Sequence, residues 1–371
     1  MKPFQPDVLP LDCIDWSACI PSIGAANRAL ALYDGVLYGV PNPAVLLSPM
    51  TTQEAVLSSK IEGTQATLGE VLQFDAGEEP QEPSKREDIN EIINYRKSLR
   101  IAERRLKDRP FNLNLLKELH AILLDSVRGR DKARGQFRTS QNIIGNPGDT
   151  LETAKFVPPA PEAVMPALDN WERYYHGEEN DPLVQLAIVH AQFEIIHPFL
   201  DGNGRLGRIL VPLYLCEKKL LSSPMFYLSA YLERNRDEYV ARLRALGREP
   251  DAWTQWVVFF LNGLEQQAKQ NARIAREVID LYGDLKTRAL EATHSQFAVP
   301  LLDKIFEQPV FTSPRLNWEG DDAPSKGMLA TLLRKLTREG MLKVLRQGSG
   351  RRPTTLVLAE LINLCEGKKI F

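Results

Sequence analysis

The chain has 371 residues, 43% of them hydrophobic, and its 46 basic and 48 acidic side chains leave a net charge of −2. That length supports two or three domains of ordinary globular composition. The balanced charge excludes a global pull toward nucleic acid or an anionic membrane, so any basic site must be local. No apolar run reaches the roughly 18 residues that a membrane span needs, and Met1-Lys-Pro-Phe-Gln-Pro6 lacks an apolar signal core. Cys13, Cys19, Cys216 and Cys365 show no metal-ligand spacing. Reduced structural thiols in a cytoplasmic protein are expected.

Residues 1–45 carry several prolines, with one helix expected around Ala25, Ala26, Leu30 and Leu32 and the remainder wrapping the core as an arm. Residues 51–63 read as a helix capped by Thr51 or Thr52 and closed by Gly63. Its apolar positions are Ala55, Val56 and Ile61. Glu62 falls in the last turn, where the helix dipole disfavours a negative charge, so it wants a cationic partner. The acidic, proline-containing stretch 75–88 reads as an exposed linker.

Helical patterns follow over 89–106 and 113–127, the second capped by Asn112 or Asn114 and ended by Gly129. Residues 135–160 break the pattern. β-prone residues from Gly135 to Gly145, a turn at 145–148 and a return ending at Phe156-Val-Pro-Pro159 read as a hairpin. Helices are then expected over 164–175 and 183–196. His190 lies two helical turns before His197, a spacing that could suit two metal ligands, but no third ligand is placed.

The densest chemistry is His197-Pro-Phe-Leu-Asp-Gly-Asn-Gly-Arg-Leu-Gly-Arg208. Gly202, Asn203 and Gly204 let the backbone turn its N–H groups toward one point. A helix starting near Gly204 aims its free N–H groups and positive end at the same place, which makes an anion site. Arg205 and Arg208 add forked donors suited to phosphate oxygens. Asp201 supplies a carboxylate where a phosphate-bound Mg²⁺ would sit. His197 has an unperturbed pKa near neutrality and is the natural general base.

An apolar helix continues over 209–221, and Pro212 removes one of its backbone donors. Further helices are expected over 253–264 and 267–290. The tail reads as helices over 299–306 and 325–339, then strands over 341–346 and 354–358 around a Gly/Pro turn. Arg346, Arg351 and Arg352 make that hairpin basic, and Arg334, Lys335 and Arg338 lie on the preceding helix.

The 197–208 stretch matches, at every defined position, the motif His-Pro-Phe-x-(Asp/Glu)-Gly-Asn-Gly-Arg-x-x-Arg. On these residues the sequence resembles the Fic-domain protein adenylyltransferases, which move AMP from ATP to a hydroxyl side chain of a protein. The resemblance implies that His197 deprotonates the target Ser, Thr or Tyr and that Asp201 holds Mg²⁺. It also implies that Gly202, Asn203, Gly204, Arg205, Leu206, Gly207 and Arg208 surround the phosphates, with Phe199 anchoring the loop.

Ser58-x-x-x-Glu62-Gly63 resembles the family's inhibitory motif, which implies that Glu62 pairs with Arg208 and obstructs the γ-phosphate. Residues 137–145 stand where the family carries a flap that docks the target's backbone, with Ile144 and Gly145 beside the nucleotide. Tyr239, Asn235 and Tyr231 stand in the segment that supplies the adenine pocket.

The fold class so implied is mostly α: a Fic helical core with a β-hairpin flap and a small C-terminal α+β domain resembling a winged helix. The expected divisions are 1–110, 111–290 and 295–371. The tail could meet DNA, dock a protein or form a homodimer. Removal of AMP, transfer of another phosphate-containing group and a DNA-binding regulator are the competing readings.

Overall fold

The computed structural model describes residues 2–371 except 41, 127–131, 146–147, 317, 319–322 and 351. It is mostly helical. In chain order the helices are α1 (Trp16–Tyr38), α2 (Pro43–Leu46), α3 (Ser48–Ile61), α4 (Leu68–Asp75), α5 (Pro83–Leu106), α6 (Leu113–Leu123), α7 (Pro161–His176) and α8 (Pro182–Ile196). They continue as α9 (Asn203–Glu217), α10 (Ser229–Arg234), α11 (Arg236–Ala245), α12 (Ala252–Thr293), α13 (Ala298–Glu307), α14 (Lys326–Arg338) and α15 (Ala359–Glu366). The strands are β1 (Val310–Thr312), β2 (Lys343–Arg346) and β3 (Thr355–Val357).

Two compact units divide the chain. The first comprises residues 1–34, 57–63 and 93–270, and the second residues 35–56, 64–92 and 271–371. α8 is the centre of the first unit. Asp181 caps it, accepting from the N–H groups of Leu183 (2.9 Å) and Val184 (3.1 Å). Apolar residues run around the whole helix, which marks a helix enclosed by protein. From Leu183 to Ile196 only Glu194 is not buried. Trp171 of α7 and Trp256 of α12 donate to the carbonyls of Val189 and Ala187, both at 2.8 Å, so the large indoles bury no unpaired N–H. Residues 2–15 form the expected arm: Gln192 donates to the Asp7 carbonyl and Trp253 to the Asp7 carboxylate.

In the second unit, β1, β3 and β2 make an antiparallel sheet in that order. Leu68, Leu72 and Ala76 pack with Val310, Val357 and Ile362 as its core.

Several expected elements differ from those observed. α3 starts at Ser48, so Thr51 and Thr52 lie inside it, where Thr52 bonds back to the Ser48 carbonyl. Asn112, not Asn114, caps α6; Val127 and Gly129 lie outside the described residues. The 75–88 stretch is not all linker, because α5 begins at Pro83. Glu78 accepts from Arg346 and Thr355, so its charge is used inside the second unit. Residues 253–290 form one helix, and Gly263 within it lets the Tyr231 ring approach so closely that a Cβ would lie 2.7 Å away. The tail's two helices and two strands are present, joined by β1 and α15, which short apolar runs do not announce; Arg351 lies outside the described residues.

The 135–160 hairpin reduces to a single bridge, Ile144 with Phe156. Side chains replace the rest of the ladder: Gln141 donates to the Pro158 carbonyl, and Arg138 to those of Ser140 and Pro159. The prolines have no N–H to return. Of the expected turn, Asn146 and Pro147 lie outside the described residues.

Candidate active site

α8 ends at His197, whose backbone turns left-handed at φ 47° and ψ 59°. That conformation is uncommon for a residue with a side chain. Arg138 supports it from behind. Its guanidinium is buried and donates to the carbonyls of His197 (2.9 Å), Ile196 (3.3 Å) and Pro159 (2.6 Å). These include carbonyls that the end of a helix leaves without intrahelical donors. Burial lowers the Arg138 pKa to about 10, so it remains charged at neutral pH.

Below the loop, Phe199 is buried between the rings of His120, stacked at 3.8 Å, and Phe137. Asn203 closes the turn with its side chain, accepting from the Phe199 N–H and donating to the Phe199 carbonyl, both at 2.9 Å. The left-handed Gly202, at φ 77°, then starts α9.

His120 also fixes Asp201. The Gly135 N–H donates to His120 Nδ1 at 2.8 Å. The ring proton therefore sits on Nε2 and reaches the Asp201 carbonyl at 3.0 Å. Burial lowers the His120 pKa to about 4, so the ring stays neutral. Sequence reasoning missed this residue and the anchoring role of Arg138. His120 reads as one polar residue on an apolar helix face; only its distant partners give it a role.

The acid–base chemistry follows from His197. Its Nδ1 lies 3.2 Å from the Glu194 carbonyl, an acceptor, so Nδ1 carries the proton and Nε2 keeps its lone pair. Burial lowers its pKa to about 4, although Glu62 and Asp201 oppose the shift. Asp201 presents a half-exposed carboxylate that accepts from the Gly202 N–H at 2.6 Å and lies 3.6 Å from buried Arg205. One such hard oxygen ligand beside the N-terminus of α9 has the chemistry that Mg²⁺ takes, which is one or two carboxylates together with substrate phosphates.

Arg208 is the most enclosed cation of the site. It donates from Nε to Ser58 Oγ and from Nη2 to the Ser58 carbonyl, both at 2.8 Å, and from Nη2 to Glu62 Oε1 at 2.6 Å. Partial desolvation disfavours the Glu62 charge, but Arg208, Arg205 and His197 outweigh it and hold its carboxyl below the ordinary value. Lys60 pairs with Glu233 at 2.7 Å and Arg236 donates to the Ile61 carbonyl at 3.2 Å, which fixes the end of α3 on α10 and α11. Gly63, at φ 107°, closes that helix end.

A cavity of about 590 Å³ opens beside this pair. Ile144, Gly145, Glu194, Gly204 and Tyr239 line it together with Glu62, His197 and Arg208. Leu206 is core, and Gly207 lies directly beneath Glu194. Tyr239 places its hydroxyl on His190 Nε2 at 3.0 Å rather than in open space. His190 donates from Nδ1 to the Gly207 carbonyl at 3.2 Å, so both ring nitrogens are occupied and neither is free for a metal. Tyr231 and Asn235 do not join this cavity. Tyr231 lines a separate recess with Phe259, and Asn235 bonds to the Tyr231 carbonyl between α10 and α11.

Residues 20–103 match the family model for the Fic/DOC family N-terminal region, and residues 110–215 that for the Fic/DOC family. A probable protein adenylyltransferase of Aquifex aeolicus is 25% identical over 248 residues, 65% of this chain and 68% of that protein. A protein adenylyltransferase of Caenorhabditis briggsae is 31% identical over 139 residues, 34% of this chain but only 24% of that protein. The fold resembles a Fic family protein from Desulfovibrio desulfuricans, with TM-score 0.59, 19% identity, and 96% and 98% of the two chains covered. A Fic domain containing signaling protein from Bacteroides thetaiotaomicron gives TM-score 0.56 at 19% identity, over 68% of this chain and 96% of that one.

Proposed function

The chain belongs to the Fic/DOC family, and from that premise we propose that it is a protein adenylyltransferase restrained by its own Glu62. The observation that carries the reading is the convergence of His197, Gly204 at the start of α9 and Arg208 on one cavity of nucleotide size.

ATP lies with its triphosphate over the N-terminus of α9, where Gly202, Asn203 and Gly204 present main-chain N–H groups and Arg205 adds charge. A target hydroxyl approaches the α-phosphorus beside the 137–145 segment, where an extended backbone can pair with a partner's. His197 Nε2 takes the hydroxyl proton as the new O–P bond forms and the bond to pyrophosphate breaks. The Glu194 carbonyl holds the proton on Nδ1 throughout. Asp201 would hold Mg²⁺, which supplies charge neutralisation on the phosphates when bound. Arg208 receives the terminal phosphate once Glu62 gives it up.

A second reading, removal of AMP with Glu62 orienting a water, draws on the position of Glu62 in the same cavity as His197. ATP labelled on the α-phosphate or, in parallel, on the γ-phosphate separates the chemistries. Adenylyl transfer puts only the α-label into protein. Label entering only from the γ-position means phosphorylation and overturns the proposal.

A further inference from the structure

Glu194 is an acidic side chain of the cavity that neither the loop nor Glu62 accounts for. Its Oε1 is buried and has no hydrogen-bond partner among the described residues. Such an orphaned oxygen is costly unless a ligand or a proton answers it. The carboxyl lies against the Cα of Gly207 so closely that a Cβ there would stand 2.3 Å from Oε1. Glu62 does the same one turn earlier, with its Oε1 2.3 Å from the position of a Cβ on Gly204. A carboxyl from α8 and one from the turn that follows α3 thus rest on successive turns of one face of α9, and Arg208 belongs to that face.

Only Glu62 has the hydrogen bond from Arg208. One cation facing two carboxyls favours ionisation of one and protonation of the other. The groups around Glu194 agree. Arg208 on α9 draws it toward ionisation and Glu62, just past α3, away from it. His190 and His197 on α8 are neutral, Tyr239 on α11 is uncharged, and Arg236 and Asp237 of α11 and Lys155 line the same cavity. Burial, the largest influence, raises the carboxyl to about 7. A terminal phosphate that displaces Glu62 brings its own negative charge to Arg208 and preserves this arrangement.

We infer that Glu194 is a further nucleotide-binding residue: its protonated carboxyl donates a hydrogen bond to an oxygen of the terminal phosphate held by Arg208. This rests on the nucleotide reading above, and it makes the terminal-phosphate corner sensitive to pH in a way that Arg208 alone is not. In a Glu194→Gln variant the side-chain amide mimics the protonated acid, whereas Glu194→Ala has no donor.

The test uses the full-length Glu62→Gly chain and measures binding of ATP and of AMP at pH 6 and pH 8 by titration calorimetry. ATP's own phosphate titrates equally for every variant, so differences between variants are the readout. With Glu194 present, ATP affinity falls about fivefold to tenfold more between the two pH values than in Glu194→Gln. Glu194→Ala binds ATP more weakly than Glu194→Gln, and AMP affinity follows neither change. Parallel pH profiles for Glu194 and Glu194→Gln overturn the inference, as does Glu194→Ala binding ATP as tightly as Glu194→Gln. Absence of ATP binding in the parent at both pH values overturns the nucleotide reading itself. Thermal melting checks the fold of each variant, and if Glu194→Ala does not fold, the comparison of Glu194 with Glu194→Gln across pH decides.

Discussion

Arg208 and Glu62 form an unequal pair: the Arg208 side chain is 1% exposed, whereas Glu62, 2.6 Å away, is 40% exposed. Arg208 also lies close enough to Tyr239 for a side-chain hydrogen bond, and Tyr239 is held by His190. Glu62 can therefore leave while Arg208 stays in place. Replacing Glu62 by Gly is expected to raise self-labelling from α-labelled ATP by an order of magnitude or more. Adding His197→Ala to that variant should abolish the signal. Labelling that stays at the parental level in Glu62→Gly removes the restraint from the account. Arg208→Ala, by contrast, should lower both labelling and stability, because it strips a buried cation from Ser58 and Glu62 together.

The acid limb of the rate profile tests the base. His197 has its pKa lowered to about 4 by burial. A general base works deprotonated, so this residue is already competent at pH 7 and its contribution is lost only as pH falls through about 4. In Glu62→Gly the limb should move lower still, because the carboxylate that raises the His197 pKa is gone. Initial rates of labelling between pH 3 and pH 8, over the range where each variant stays folded, check this. A limb centred near 6.5, the ordinary histidine value, would show that His197 is not enclosed as described.

Much of the site was legible because its residues are contiguous. The 197–208 loop gathers His197, the Gly202–Gly204 turn and two arginines within twelve positions, and the turn chemistry of Gly202 and Asn203 announces where α9 begins. Glu62 was legible through its motif: the helix dipole asks only for some cation near it, and the resemblance of Ser58-x-x-x-Glu62-Gly63 to the family's inhibitory motif is what points to Arg208. What could not be read depends on distant chain. The short run at 310–312 becomes a strand only by pairing with Thr355–Val357. Residues 141–144 looked like a strand by propensity, but Gln141 and Asn142 bond to main-chain carbonyls with their side chains instead. Tyr239 and Tyr231 are both aromatic residues in one segment, and only the fold turns one into the cavity's wall and the other against Gly263.

His120 offers a test of positioning. A His120→Phe variant keeps a ring to stack on Phe199 but leaves the Asp201 carbonyl and the Gly135 N–H without their partner. Two buried groups so orphaned should cost on the order of 1–3 kcal/mol in denaturant melts. The maximal rate of the Glu62→Gly form should fall, with ATP affinity less affected, because Asp201 loses its support while the 202–204 N–H groups remain. Equal loss in affinity and in maximal rate would mean that the ring merely supports the fold.

Arg138 carries the last prediction. Its guanidinium bonds to main-chain carbonyls at 140, 159, 196 and 197, so one side chain ties the bridge-forming segment to the end of α8. Methionine fills similar volume without donors, and lysine keeps the charge but not the fork. Arg138→Met should therefore lose about 2–4 kcal/mol of stability. Arg138→Lys should recover only part of it, since one ammonium cannot serve carbonyls on both sides. In both variants the maximal rate should fall further than stability explains, because nothing else described holds the His197 carbonyl in its left-handed turn except a long contact from Asn142 at 3.5 Å. The measurements are denaturant melts and labelling rates in the Glu62→Gly background, taken where each variant is fully folded. Full activity in folded Arg138→Met would show that the His197 conformation is set by the loop alone.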